Sequence, residues 1–346
     1  VANKTMKAVQ ITRAGGPGVL EVVSLPVPEP GPGEVLLRLK AASVNHLDVW
    51  LRTGELGVPL PHVPGSDGAG AVQALGAGVT GVTVGGRYLI MPGLSCGECA
   101  PCVAGAQQRC ADFSIFGTTS QGTYAEYVVV PARNLVPIPE ALAFTQAASF
   151  PVTALTAWHL LSTRAALKPG ETVLIHGAGS GLGVFAVQIA KYLGAQVIAT
   201  AGSGDKCEAA IGIGADMALH HGMGDISAKV LELTDGRGAD VIFDHVGAEQ
   251  FSGNLAALGI GGRLLVCGTT TGGDVAFNLR DLFSQQQSIH GGRLGSMAEL
   301  RRVTELFAEG QLVPVVDSTY PLDQVFEAHK LMDQRVHFGK MVLTID

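Results

Sequence analysis

The chain has 346 residues, with 23 Lys plus Arg against 30 Asp plus Glu and a formal net charge of −7. This acidic balance, with no basic stripe, argues against nucleic acid or an anionic membrane as a main partner. Hydrophobic residues at 47% exclude a disordered chain, and 47 glycines with only 15% charged residues suit a two-domain α/β protein rich in tight turns.

The opening stretch, VANKTMKAVQITRAGG, has no apolar run of the secretory type, so a cytoplasmic enzyme is expected. The first part reads as β-rich. KAVQIT, LEVVSLPV and EVLLRLKAASV carry Val, Ile and Leu runs punctuated by GGPG and PEPGPGE. GAGAVQALGAGVTGVTVGGRYLIM continues with short strands between glycines, and GTYAEYVVVP adds another. Together they predict a partly open β-barrel.

Within this region CGECAPCVAGAQQRC brings Cys96, Cys99, Cys102 and Cys110 into one short loop. In a reducing compartment clustered cysteines serve metals more often than disulfides. Short CxxC steps let one loop wrap a tetrahedral Zn²⁺, and four thiolates leave no open position, so such a zinc is structural. A disulfide pair or idle thiols is the competing reading. Cys207 and Cys267 read by default as small buried hydrophobes.

Past about Ala141 the pattern changes. FTQAASFPVTALTAWHLLSTRA reads as helix interrupted at Pro151. TVLIHGA, GVFAVQIAKYLG, QVIATAG and DKCEAAIGIG then alternate strand and helix. ADMALHH, ISAKVLELTDG, ADVIFDHVG, FSGNLAALGIGG and RLLVCGTT keep the rhythm, which predicts a doubly wound parallel sheet. SIHGGR looks like its last strand; MAELRRVTELFAEGQL and LDQVFEAHKLMDQ follow as helices, and GKMVLTI as a final strand. The most apolar stretch is broken by glycines, Gln188 and Lys191, so no membrane span is expected.

Gly177, Gly179, Gly181 and Gly183 lie between a buried strand and a helix. Such a turn lets backbone N–H groups approach a pyrophosphate at a helix N-terminus, which makes Gly179, Ser180, Gly181 and Leu182 candidate dinucleotide contacts. The second strand ends in Thr200, Ala201, Gly202 and Ser203, with no carboxylate until Asp205. Ser203 and Lys206 would suit a 2′-phosphate, so NADP(H) is expected over NAD(H); a solvated Lys206 is the plain alternative.

With the cysteine loop and the glycine turn in this order, the chain resembles the medium-chain dehydrogenase/reductase superfamily from about Met6 to Asp346. Within it, it is similar to the zinc-binding alcohol dehydrogenase-like and quinone oxidoreductase branch. The resemblance implies a GroES-like catalytic domain at 1–140 with a zinc lobe at 92–112. A Rossmann domain at 141–292 follows, and 293–346 returns to the catalytic domain. It also implies a homodimer or homotetramer joined near QQSIHGG.

Family alcohol dehydrogenases hold a second, catalytic zinc through a Cys-x-x-Asp segment, a Gly-His-Glu segment and a later Cys. Here SVNHLDVW has Asn45 in the Cys place and keeps Asp48, PGSDGAG has Ser66 and Asp67, and FPVTALTAW has no Cys. The implied enzyme has one structural zinc and no usual catalytic zinc. It reduces small-molecule quinones or activated alkenes, such as enones or enoyl thioesters, with NAD(P)H. Two other readings stay open: an alcohol dehydrogenase with an atypical site at His46, His62 or His159 plus Asp67, and a silent NADPH-binding redox sensor.

The resemblance also assigns roles. Asn45 would meet the nicotinamide ribose or the substrate carbonyl, with Asp48 and Asp67 supporting it or serving only structure. His46 and Lys340 match places near the cofactor pyrophosphate; Thr156, Cys267, Gly268 and Thr269 match places at the nicotinamide. Trp50 stands where several quinone reductases have tyrosine, so no general acid is named and water is the default proton source.

Overall fold

The strand Glu34–Ser43 organises the first part of the chain, because three others pair with it: Asp67–Leu75, Tyr127–Pro131 and Lys340–Thr344, all antiparallel. Its sequence EVLLRLKAAS is buried on both faces, with Val35, Leu37 and Leu39 fully enclosed. A strand read as a near-continuous apolar run fits such a central place. The computed structural model describes residues 4–346.

The chain divides into two units, Val1–Val152 with Gly295–Asp346, and Thr153–Leu294. The first boundary falls later than the expected 140/141, and the second at 294/295 in place of 292/293. The reason lies in the helix Phe144–Ala148, whose Ala147 and Ala148 are fully buried against the Glu34–Ser43 and Asp67–Leu75 strands.

The first unit carries a seven-stranded sheet in the order Val316–Pro321, Lys340–Thr344, Glu34–Ser43, Asp67–Leu75, Arg87–Ile90 and Leu135–Pro137, with Tyr127–Pro131 off this path. A hairpin-like pair, Thr5–Ile11 with Leu20–Pro26, packs on the same core through Val9 and Ile11. The final strand, expected at GKMVLTI, is thus central to the unit that begins the chain.

The second unit is a six-stranded, wholly parallel sheet. Its order is Met217–His220, Gln196–Ala201, Thr172–Ile175, Ala239–Asp244, Leu258–Val266 and Ser288–Gly291. Val173, Leu174, Ile175, Val197, Ile198, Val241, Ile242 and Phe243 have no exposed surface, as parallel strands covered on both faces require. Helices Gly181–Tyr192, Gly204–Gly212, Ile226–Leu233 and Ala248–Ala257 form the connections.

The long helix expected from Phe144 to Ala165 is broken twice. Pro151, which lacks an N–H, opens a fresh helix Pro151–Trp158, and His159–Arg164 widens into a π turn. Among the described residues no helix is long and apolar enough to cross a membrane.

Candidate active site and zinc lobe

The cysteine loop is closed by the short pair Gly93–Leu94 with Ser114–Ile115. Asn134 donates from Nδ2 to the carbonyls of Met91 and Gly93, and Arg133 donates to that of Ser95, which ties the loop to the barrel. The four sulfurs of Cys96, Cys99, Cys102 and Cys110 lie within 4.8 Å of one another. Cys96 Sγ stands 3.9 Å from Cys102 Sγ and 3.6 Å from Cys110 Sγ. Zinc–sulfur bonds of about 2.3 Å in a tetrahedron separate sulfurs by about 3.8 Å, so this donor set fits the ion. All six cysteines are free thiols.

A second polar cluster forms where three strands meet. Ser43 pairs with Asp67 on one side and Val342 on the other, so the end of Glu34–Ser43 and the starts of Asp67–Leu75 and Lys340–Thr344 converge. Asp67, fully buried, accepts at Oδ2 from Ser43 Oγ (3.0 Å), Asn45 Nδ2 (2.9 Å) and Lys340 Nζ (3.4 Å). Its Oδ1 accepts from the Val152 N–H at 2.8 Å. Lys340, 2% exposed, also donates to the Val44 carbonyl (3.0 Å) and Asn45 Oδ1 (2.6 Å). Burial pulls the Lys340 ammonium below its usual range, opposed by the charges of Asp67 and Asp48.

Asn45 precedes the helix His46–Thr53, and Asp48 accepts from its backbone N–H at 2.8 Å, closing the first turn. Asp48 also accepts from the Gly65 N–H (3.1 Å) and the Tyr124 hydroxyl (3.1 Å). Even so, burial pushes its carboxyl up to about 7, since those bonds and the Lys340 charge offset the desolvation only in part. The chain continues from Tyr124 Oη to His329 Nε2 at 3.2 Å. Burial, with Arg52 nearby, brings the His329 imidazole down to about 3, and its Nδ1 has no hydrogen-bond partner among the described residues. Ser66, fully buried beside Asp67, carries a hydroxyl without a hydrogen-bond partner among the described residues.

In the second unit the glycine turn is tight and leads straight into a helix. Gly177 has φ +59°, and a Cβ on Gly183 would collide with the Gly177 carbonyl. Ser180 caps the twelve-residue helix Gly181–Tyr192 by accepting from the Gly183 N–H at 2.9 Å. His245 Nε2 lies 3.0 Å from the His176 carbonyl and 3.2 Å from Ser180 Oγ. His176 in turn reaches Thr200 Oγ1 (3.3 Å) and Asn254 Oδ1 (2.6 Å), and Asn254 donates to Asp244 (2.9 Å). Desolvation lowers both imidazoles, so the turn rests on neutral rings.

The structure therefore brings Asn45, Asp67 and Lys340 together, with Asp48 in the next hydrogen-bonded group. Lys340, which the resemblance sets near a cofactor pyrophosphate, has its three N–H groups engaged at the strand junction of the first unit. His46 is half-buried and meets the edge of Trp50 at 5.1 Å. Thr156 is buried in the helix Pro151–Trp158. Cys267 is half-buried, its thiol 3.7 Å from the Asp244 carbonyl and raised by desolvation and that carboxylate's charge. Gly268 packs on the His245 carbonyl and Thr269 is exposed. Ser203 caps the next helix, accepting from the Lys206 N–H at 3.3 Å. Leu182, in the first helical turn, is half-buried.

Sequence reading passed over Tyr124, His329, His245 and the pair His220–His221. The two rings of that pair stack at 5.8 Å, and His220 Nε2 donates to the Gly202 carbonyl at 2.8 Å. The signal was present as HH and DHVG at the ends of expected strands, where Rossmann folds place ligand contacts.

Residues 31–140 match the family model of the alcohol dehydrogenase GroES-like domain, and 181–309 that of zinc-binding dehydrogenases. A quinone oxidoreductase of Pseudomonas aeruginosa is 32% identical, over 97% of this chain and 99% of its own. A solved NAD-dependent alcohol dehydrogenase is 46% identical with a TM-score of 0.95, covering 99% of this chain and 100% of that one. A mycobacterial protein solved with NADPH is 30% identical with a TM-score of 0.84, covering 98% and 100%. With a barrel unit, a parallel-sheet unit and relatives matched end to end, the chain belongs to the medium-chain dehydrogenase/reductase superfamily and is an oxidoreductase of its alcohol dehydrogenase-like and quinone oxidoreductase branch.

Proposed function

We propose that this chain is an NAD(P)H-dependent reductase that delivers hydride to quinones or activated alkenes, including enones and enoyl thioesters. The observation that carries the reading is the saturated Asp67 carboxylate, with four donors on its two oxygens. Asn45 and Ser66 offer only neutral oxygens beside it, so this donor set does not fit a second zinc. In the family's zinc-dependent alcohol oxidation the ion holds the alkoxide as a Lewis acid, and without it an unactivated alcohol is a poor substrate. A conjugated acceptor spreads its developing charge and asks for much less.

NAD(P)H, when bound, supplies the hydride. Gly179, Ser180, Gly181 and Leu182 receive its pyrophosphate, while Thr156, Cys267, Gly268 and Thr269 line the nicotinamide place. Ser203 and Lys206, with His220 and His221 at the end of the neighbouring strand, favour NADP(H); the relative solved with NADPH supports this and the one named NAD-dependent favours the other coenzyme. Asn45 orients the acceptor, His46 attends the cofactor, and Asp48 and Asp67 hold that end of the unit in place. The cysteine lobe takes one structural zinc, and its free thiols suit a cytoplasmic setting. The chain pairs with copies of itself along the Ser288–Gly291 edge.

The test is loss of reduced-nicotinamide absorbance with a panel of quinones and enones, against coenzyme reduction with alcohols. Turnover of the first panel only is expected. Alcohol oxidation, which the 46% relative's name would favour, overturns the reading, and coenzyme binding without turnover on either panel points to a sensor.

A further inference from the structure

We propose that the Lys340 ammonium is the resident cation of the Asp67 cluster and is what keeps a divalent metal out of it. The inference deepens the reading of an enzyme without a second zinc, and rests on it. Asn45, in a metal-ligand place of the family's alcohol dehydrogenases, and Asp67, the neighbour of Ser66 in another such place, are the side chains Lys340 holds, at 2.6 and 3.4 Å.

An ammonium has three donors, and here all three are used, on Val44, Asn45 and Asp67. It satisfies the Asp67 charge in a fully buried place, where an unpaired carboxylate would be costly. A divalent ion entering beside it would put three positive charges against the two nearby carboxylates, Asp67 and Asp48. It would also have to strip Asp67 of donors that already fill both oxygens.

The pairing fixes Asn45 as well. Because Lys340 binds Oδ1, the amide must turn Nδ2 toward Asp67, and the orientation is set by charge at one end and by a carboxylate at the other. Lys340 is thus a positioning residue for Asn45, and its own protons are not directed at a reacting group.

The experiment installs metal-binding side chains with and without the lysine. Asn45→Cys/Ser66→His and Asn45→Cys/Ser66→His/Lys340→Met would be titrated with Co²⁺ while the cysteine lobe stays loaded with zinc. Visible absorption of bound Co²⁺ and the shift in Tm are the readouts. We expect the lysine-free variant to bind a further equivalent with affinity higher by on the order of tenfold to a hundredfold. Equal uptake by the two, whether with or without a further equivalent, overturns the proposal. Should the lysine-free variant not fold, tight uptake by the variant that keeps Lys340 still overturns it, and Lys340→Ala replaces Lys340→Met in the comparison. Metal uptake is read without any substrate, so a failed quinone assay and a failed exclusion are separate results.

Discussion

The His245 ring stands 3.1 Å from the place a Cβ on Gly177 would take, and its Nε2–H donates to the carbonyl of His176 at 3.0 Å. One imidazole thereby clamps the glycine turn, while Thr270 Oγ1 donates to the carbonyl of the same residue at 3.1 Å. His245 links the glycine turn to the segment after Leu258–Val266.

Removing that clamp should loosen cofactor binding before it unfolds the unit. His245→Ala is expected to weaken NADPH by about tenfold, the worth of one to two hydrogen bonds, and His245→Gln by less. Fluorescence titration with NADPH checks this. Equal Kd values for all three proteins would remove the role.

The coenzyme preference has its own signature. Lys206→Ala should weaken NADPH by about tenfold and leave NADH nearly unchanged, because a charge-assisted contact to a 2′-phosphate exists for only one of them. Parallel weakening of both would assign Lys206 to the helix alone.

Asp48 and His329 should pull stability in opposite directions. Asp48 has a folded value near 7 against 3.8 free, so the folded chain holds its proton longer. Its contribution is complete below about pH 4 and is lost as pH rises to about 7, by up to about 1.4 kcal/mol per pH unit. His329, near 3 against 6.5, contributes fully above about pH 6.5 and loses that contribution as pH falls toward 3. The slopes offset each other in the wild type. Asp48→Asn should expose the acid-side loss and His329→Gln the opposite slope, read from urea midpoints across pH 4–7.

Zinc removal should act locally. Cys102→Ser is expected to abolish the lobe zinc and cost a few kcal/mol of the first unit's stability, while NADPH binding by the second unit persists. Elemental analysis and a NADPH titration on the same sample check both halves.

Self-association should run through the open sheet edge. Ser288–Gly291 has one strand neighbour, and nearby Leu279 and Phe283 are about two-thirds exposed, as Ile289 is in part. Phe283→Glu with Ile289→Glu should lower the mass seen by light scattering to that of one chain.

What the sequence made legible was local. CxxC spacing, the glycine turn and the alternation of Val-rich strands with helices all act within a few dozen residues, and the cysteine cluster and parallel sheet followed from them. The polar cluster was legible only as isolated letters. Asn45 and Lys340 are 295 positions apart, and nothing in either segment tells that strand pairing through Ser43 will bring them to 2.6 Å. Tyr124 and His329, 205 positions apart, were hidden for the same reason. The division at Val152 was hidden likewise, since nothing in FTQAASFPV tells that the helix Phe144–Ala148 packs on the Glu34–Ser43 and Asp67–Leu75 strands.

The central position of Lys340–Thr344 has a consequence for synthesis. Residues 153–294 are contiguous and can close their sheet as soon as they leave the ribosome, whereas the first unit lacks an inner strand until residue 344 has been made. Lys340 is thus the last of the Asp67 donors to be made, 273 residues after the carboxylate it pairs with, while Ser43, Asn45 and Val152 are all in place long before it.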